Sequence, residues 1–308
     1  MEPSDFRTLG AIVGSGTRGG SSPEDQHGLV LAPDSPLVET LDRIRTIADS
    51  GAPVLFWGEP GAGRRSLARV LHEVGAGAQA GLHRFKASPD TERPDLEAAL
   101  TAATGGSLLI EEVSRLSRSL QESLADFLDS EEAAAVRIIA TCPDEPGALI
   151  AAEELVEDLY YRIGVFSIRV PPLRERSQDI RPLTSHFIML ANQHHGLQVS
   201  DISGEALDHL SAADWPGNVP DLRRTIEHAA ILTRRGSMRL EHLPTEHLRG
   251  KRRPRPVVLD PGTSMADAER QLILATLEQT NQNKAEAARR LGLDVKTIRN
   301  KLRSYGLM

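Results

Sequence analysis

The chain has 308 residues, 40% of them hydrophobic, and a net charge of −7, which leaves room for one large core and a smaller second unit. No apolar run approaches the roughly 18 residues of a membrane helix, and the acidic start MEPSDF lacks the basic-then-apolar order of a secretory leader. With one cysteine, Cys142, an internal disulfide is excluded and a globular, cytoplasmic protein without membrane association is expected.

Residues 1–27, rich in Gly, Ser and Thr without periodicity, read as a flexible leader. Beyond them short apolar runs alternate with helical patterns: PVLFWG (Pro53–Gly58), SLLIEEV (Ser107–Val113) and VRIIATC (Val136–Cys142). Such alternation predicts an α/β unit, a parallel sheet flanked by helices, over 28–180. From about Asp179 to Glu246 the pattern becomes purely helical, which predicts a helical subdomain over 181–248.

The run PVLFWG leads into GEPGAGRRS, Gly58–Ser66, and then the helical SLARVLHEVG. Gly58 and Gly63 fit the phosphate-binding spacing G-x-x-x-x-G-K-[ST], but Arg64 stands where the lysine belongs and Arg65 at the hydroxyl position. Strand, loop and helix is the context a phosphate cradle requires, because a helix N-terminus offers free amides and a positive dipole end. The candidate nucleotide-contacting residues are therefore Gly58, Glu59, Pro60, Gly61, Ala62, Gly63, Arg64, Arg65 and Ser66, with Glu111 beyond them. Glu111 and Glu112 end the second run; paired acids there suit magnesium positioning and water activation, or form a plain solvated strand end.

Prolines and clustered charge in RGKRRPRPVVLDPGTS forbid a regular helix and mark a basic linker over 249–263. From Arg249 to Met308 there are thirteen Lys/Arg and six Asp/Glu, a net +7, which leaves −14 on the rest of a chain whose total is −7. A basic end on an acidic body points to a polyanionic partner for that end. SMADAERQLILATLEQT predicts one helix, NKAEAARRLG a second after an Asn283 cap, and LDVKTIRNKLRSYGLM a third capped by Asp294. This is a helix-turn-helix arrangement over 264–308; a three-helix docking tail is the plainer alternative.

In that unit Ala287, Ala288, Leu291, Ile298 and Leu302 form an internal stripe, leaving Lys296, Arg299, Asn300 and Arg303 outward. Lys296 and Arg299 are expected at base edges, Thr297, Asn300 and Lys301 at phosphates, and Val295 against a thymine methyl. Lys284, Asp294 and Arg303 complete the candidate DNA-binding set. The expected partner is double-stranded DNA carrying an inverted repeat, read by a homodimer.

Three long stretches carry a family resemblance: Gly105–Leu128, Asp158–Ile180 (DLYYRIGVFSIRVPPLRERSQDI) and Asp214–Leu232 (DWPGNVPDLRRTIEHAAIL). Over residues 28–248 the chain resembles the sigma-54-dependent bacterial transcription activators, and its tail resembles their Fis-type DNA-binding domain. The resemblance implies an AAA+ P-loop core with a helical lid, ATP or ADP with Mg as cofactors, and a ring with ATP sites between subunits. Glu112 then corresponds to the catalytic acid and Arg162 to an arginine acting in trans.

Departures from the family pattern gather where its chemistry resides. Arg64 replaces the lysine, Arg65 an acid, Glu111 the first aspartate of the acid pair, and Cys142 a sensor asparagine. Val156 and Pro220 stand at two further arginines, and Lys86 at an asparagine that holds the catalytic acid. The family's long insertion with its Gly-Ala-Phe-Thr-Gly-Ala loop, which touches sigma-54, is reduced here to Pro89–Thr104. The resemblance thus implies a DNA-binding regulator with a degenerate AAA+ domain that hydrolyses ATP poorly and does not contact sigma-54. An active ATP-dependent sigma-54 activator, or an adaptor joining mixed rings of an intact relative, are the alternatives.

Overall fold

The computed structural model describes residues 29–75, 80–244, 264–280 and 284–305. The leader 1–27, the linker 249–263 and the Asn283 cap lie outside these residues. Contacts divide the chain into two compact units, one ending at Pro244 and the other beginning at Thr245.

The first unit is built on a five-stranded parallel sheet in the order β2-β3-β4-β1-β5. The strands are β1 (Val54–Trp57), β2 (Leu82–Lys86), β3 (Ser107–Glu111), β4 (Arg137–Cys142) and β5 (Phe166–Arg169). Side chains alternate across a strand, so consecutive apolar residues feed two cores. Leu109 and Ile139 pack on one face with α1 (Leu37–Ile47) and α2 (Arg64–Val74). Leu108, Ile110, Ile138 and Ala140 pack on the other with α3 (Arg93–Ala102), α4 (Arg118–Leu128), α5 (Pro146–Ala151) and α6 (Glu157–Ile163). Burial on both faces explains the continuous apolar runs of β1, β3 and β4. Edge strand β2 leaves His83, Arg84 and Lys86 exposed.

The lid follows as α7 (Ile180–His195), β6 (Gln198–Ile202), α8 (Gly204–Ser211), α9 (Asn218–Thr233) and β7 (Arg235–Met238). The expectation of a purely helical stretch is corrected here, because β6 and β7 pair in parallel as a two-stranded ribbon. Only Val199 and Met238 are buried in it, so neither strand carries enough apolar alternation to be read. Asn192 holds the ribbon to α7, its amide donating to the Val199 carbonyl at 2.8 Å and its oxygen accepting from the Val199 amide at 3.0 Å. None of the described helices is long and apolar enough to cross a membrane.

Between sheet and lid lies a buried ion pair, Arg176 with Asp179, at 3.2 Å. Asp179 also accepts from the Ala32 amide and the Ser35 hydroxyl, both at 2.8 Å, and Arg176 donates to the Ala62 carbonyl at 2.6 Å. Burial pulls the Arg176 guanidinium below its ordinary value, and Asp179 works against that pull.

The second unit comprises α10 (Met265–Gln279), α11 (Lys284–Leu291) and α12 (Val295–Ser304). Ile273, Leu277, Ala287, Ala288, Ile298 and Leu302 form its core. Gly292, at φ +66°, makes the turn before α12. Asp294 caps α12 by accepting from the Thr297 amide at 2.8 Å.

Removing one member of a buried pair leaves an uncompensated charge. Asp179→Ala is therefore expected to lower the unfolding free energy of the full chain by about 3–5 kcal/mol, with part of the loss recovered in Arg176→Met/Asp179→Ala. Urea unfolding of the two variants checks this.

Candidate functional site

The glycine loop joins β1 to α2 at the carboxyl end of the sheet, and β1 lies between β4 and β5, the position where parallel sheets collect ligands. Two of its glycines answer to the protein itself. A Cβ on Gly58 would sit 2.5 Å from the Val170 carbonyl oxygen, and one on Gly61 would sit 2.6 Å from the carbonyl oxygen of Gly217 in the lid. Gly63 differs: at φ +109° it opens α2, and a Cβ there would meet nothing nearer than Arg176 at 4.0 Å.

Several side chains hold the lid and the segment before it against the loop. Asn218, buried at φ +55°, donates to the Pro60 carbonyl at 3.0 Å and to Glu59 at 3.2 Å, and accepts from the Leu173 amide at 2.8 Å. Arg174 forks onto Glu59 at 2.8 and 2.7 Å. Pro220, at the position the resemblance gives to a sensor arginine, lies beside Gly61.

Across from the loop, both acids at the end of β3 are met by guanidinium groups. Arg64 is buried and pairs with Glu112 at 2.6 Å. Glu111 accepts from Arg84 Nε at 3.0 Å, lies 2.9 Å from Arg84 Nη2, and pairs with Arg65 at 3.5 Å. Glu112 adopts φ +59°, and its amide donates to the Thr141 hydroxyl at 3.0 Å, so β4 fixes where this acid starts. Lys86 is exposed and in register with Glu111. Cys142 is buried, donates to the Asp144 carbonyl, and has its thiol pushed up to about 12, chiefly by burial, with Arg64 opposing.

These residues decide which ligand fits. A phosphate-loop magnesium ion needs a free strand-end acid, with a hydroxyl or, in the resembled family, an acid at the position of Arg65. Here the loop position holds Arg65, and both acids are charge-compensated, so the residues do not fit a divalent cation. The expectation that Glu111 and Glu112 position magnesium is corrected on that ground. Phosphate oxygens do fit: Gly63 leaves the N-terminus of α2 open, and the buried Nη1 of Arg64 has no partner among the described residues.

Arg162 is engaged within its own subunit. It donates to Asp129, the C-cap of α4, at 2.9 Å and to the Asp158 carbonyl at 2.9 Å, and the carboxylates of Asp129 and then Asp158 raise its pKa. In the second unit Lys296, Arg299, Asn300 and Arg303 are exposed, whereas three further candidates are occupied. Thr297 gives its hydroxyl to Asp294 at 2.8 Å, Lys301 is bonded to Glu269 of α10, and Val295 packs partly into the core. Lys284, half-buried, opens α11. Sequence reasoning gave no role to Arg84, Thr141, Arg174, Arg176, Asp179 or Asn218. Arg174, Arg176, Asp179 and Asn218 stand inside the quoted family stretches, Thr141 inside the apolar run VRIIATC, and Arg84 on the half-polar edge strand β2, whose register alone brings it to Glu111.

A parallel sheet with a glycine loop, a helical lid and a separate helix-turn-helix unit define an AAA+ protein carrying a DNA reader. Residues 32–173 match the sigma-54 interaction domain, 174–257 the AAA+ ATPase lid domain, and 264–305 the Fis family of bacterial regulatory proteins. Transcriptional regulatory protein ZraR of Klebsiella oxytoca is 31% identical, over 91% of this chain and 70% of that protein. Nitrogen fixation protein AnfA of Azotobacter vinelandii is 29% identical over 90% of this chain, which spans 57% of AnfA. NtrX from Brucella abortus, solved in complex with ATP, shares the fold with a TM-score of 0.64 at 24% identity, over 92% of this chain and 71% of NtrX. The chain belongs to the family of sigma-54-dependent bacterial transcription activators.

The Cys142 thiol supplies a pH test. Its folded pKa lies above the unfolded 9.0, so the stability it contributes is complete below pH 9 and is lost as pH rises towards 12. Urea midpoints measured through that window should fall less steeply in Cys142→Ala than in the parent chain.

Proposed function

We propose that this protein regulates transcription by occupying specific DNA, with an AAA+ domain that holds ATP or ADP, turns it over poorly and does not engage sigma-54. The pairing of Arg64 with Glu112 carries the reading, because the acid corresponding to the family's water-activating residue is tied to a buried guanidinium. Arg162, bound between Asp129 and Asp158, has no free fork to offer a neighbouring subunit. Between Lys86 and Ser107 the chain makes only a turn, α3 and a second turn, which supports the absence of a sigma-54-contacting loop. Bound ATP or ADP would supply phosphate oxygens, which Arg64 and the first amides of α2 would hold.

For DNA, the exposed Lys296 and Arg299 suit base edges, whereas Asn300 and Arg303 suit phosphates in place of the occupied Thr297 and Lys301. Met265 and Leu272, seven residues apart on α10, expose apolar side chains, which supports a homodimer through this unit. Such a dimer would read an inverted repeat with half-sites about one helical turn apart.

The purified chain is expected to hydrolyse ATP no faster than Glu112→Ala; a turnover of about 1 s⁻¹ that vanishes in that variant refutes the catalytic part. It should also fail to support transcript formation from a sigma-54 promoter in a purified system. Binding assays across operator variants test the DNA part. Arg299→Ala should cost about 1–3 kcal/mol and blur one base position, while Arg303→Ala should weaken all sequences alike and lower the salt slope by about one. Identical behaviour of the two substitutions would refute this division.

A further inference from the structure

We infer that the phosphate loop of this protein takes nucleoside di- or triphosphates without a divalent cation, the guanidinium groups of Arg64, Arg65 and Arg84 standing in for the metal's charge. The inference rests on the nucleotide reading above and specifies the ionic requirement of the same site.

The argument is one of charge. Polyphosphate can settle in a loop only if the surrounding charge is positive on balance. An ordinary phosphate-loop site brings one lysine against strand-end acid, and the cation, held by a hydroxyl and an acid, makes up the difference. Here three guanidinium groups face the two carboxylates, Arg64 on Glu112 and both Arg65 and Arg84 on Glu111. These five side chains therefore sum to one positive charge before any ligand arrives. A divalent cation approaching Glu111 or Glu112 would have to displace a guanidinium first.

Two observations point to an anion at this place. The side chain of Arg64 is 7% exposed, with one arm on Glu112 and its Nη1 buried and unpartnered. A buried donor without a partner is unfavourable, and a phosphate oxygen would satisfy it. The N-terminus of the eleven-residue α2, opened by Gly63 with no packing constraint of its own, presents amides from the same residues.

Titration of the full chain with ADP, in millimolar magnesium and separately in EDTA, tests this. Dissociation constants agreeing within about a factor of two are expected, since no metal-bridged contact is lost on chelation. Arg65→Thr/Arg84→Ala, which frees Glu111 while removing only partly exposed side chains, should bind ADP at least roughly tenfold more weakly in EDTA than in magnesium. Binding of ADP by the parent only with magnesium would overturn the inference and leave the nucleotide reading standing. Absence of binding under both conditions would overturn both. A folded double variant, judged by circular dichroism, that ignores magnesium as the parent does would show that the guanidinium charges are not the cause.

Discussion

The AAA+ unit turns on the buried pair of Arg176 and Asp179. A carboxylate without solvent access must have its charge and its lone pairs met by protein, and Asp179 has its charge met by nearby Arg176 and its lone pairs by the sequence-distant Ala32 and Ser35. The guanidinium then spends another arm on the carbonyl of Ala62 in the phosphate loop. Pairs of this kind add little net stability over apolar packing, but they allow few alternative geometries. The segment before α1, the phosphate loop and the first lid helix are thereby tied to one point. Asn218 adds a second tie, from the start of α9 to the loop.

With loop and lid joined in this way, the glycines take on a different meaning. Gly58 and Gly61 are needed because Val170 and Gly217 approach the loop closely, whether or not a ligand is present. A glycine pattern can thus persist for packing after its chemistry has changed. Gly63 is the exception, since nothing in the protein crowds it and a positive φ alone demands it.

Much of this architecture was legible in the residues. The runs VLFW, SLLIE and RIIATC gave three strands because burial on both faces removes polar alternation. The helix-turn-helix stripe of Ala287, Ala288, Ile298 and Leu302 is buried as its spacing implied. The ribbon of β6 and β7 was not legible, because it buries one side chain on each strand and depends on Asn192 from another helix. At the site, the positions of Arg64, Glu111 and Glu112 could be read, but their mutual pairing could not. That pairing depends on the register Lys86↔Glu111, which brings Arg84 beside the acid, and on the turn at Glu112, whose amide rests on Thr141. The bonds of Lys301 and Thr297 were not legible for the same reason: periodicity shows that a side chain faces outward, not that a neighbouring acid holds it.

The arginines of the loop also bear on how the protein behaves without ligand. Two glutamates at the end of a buried strand, faced by a single ammonium, would repel each other and leave one carboxylate poorly solvated, so that the empty site would be strained until a cation arrived. Guanidinium forks remove that dependence by meeting both acids from within the chain. One of these groups, Arg64, engages Glu112 directly. Stability of the empty core and the engagement of Glu112 then have one physical origin. The AAA+ unit can remain folded as a platform, and recognition of DNA passes to the separate basic unit, whose own core and capped helix need nothing from the nucleotide site.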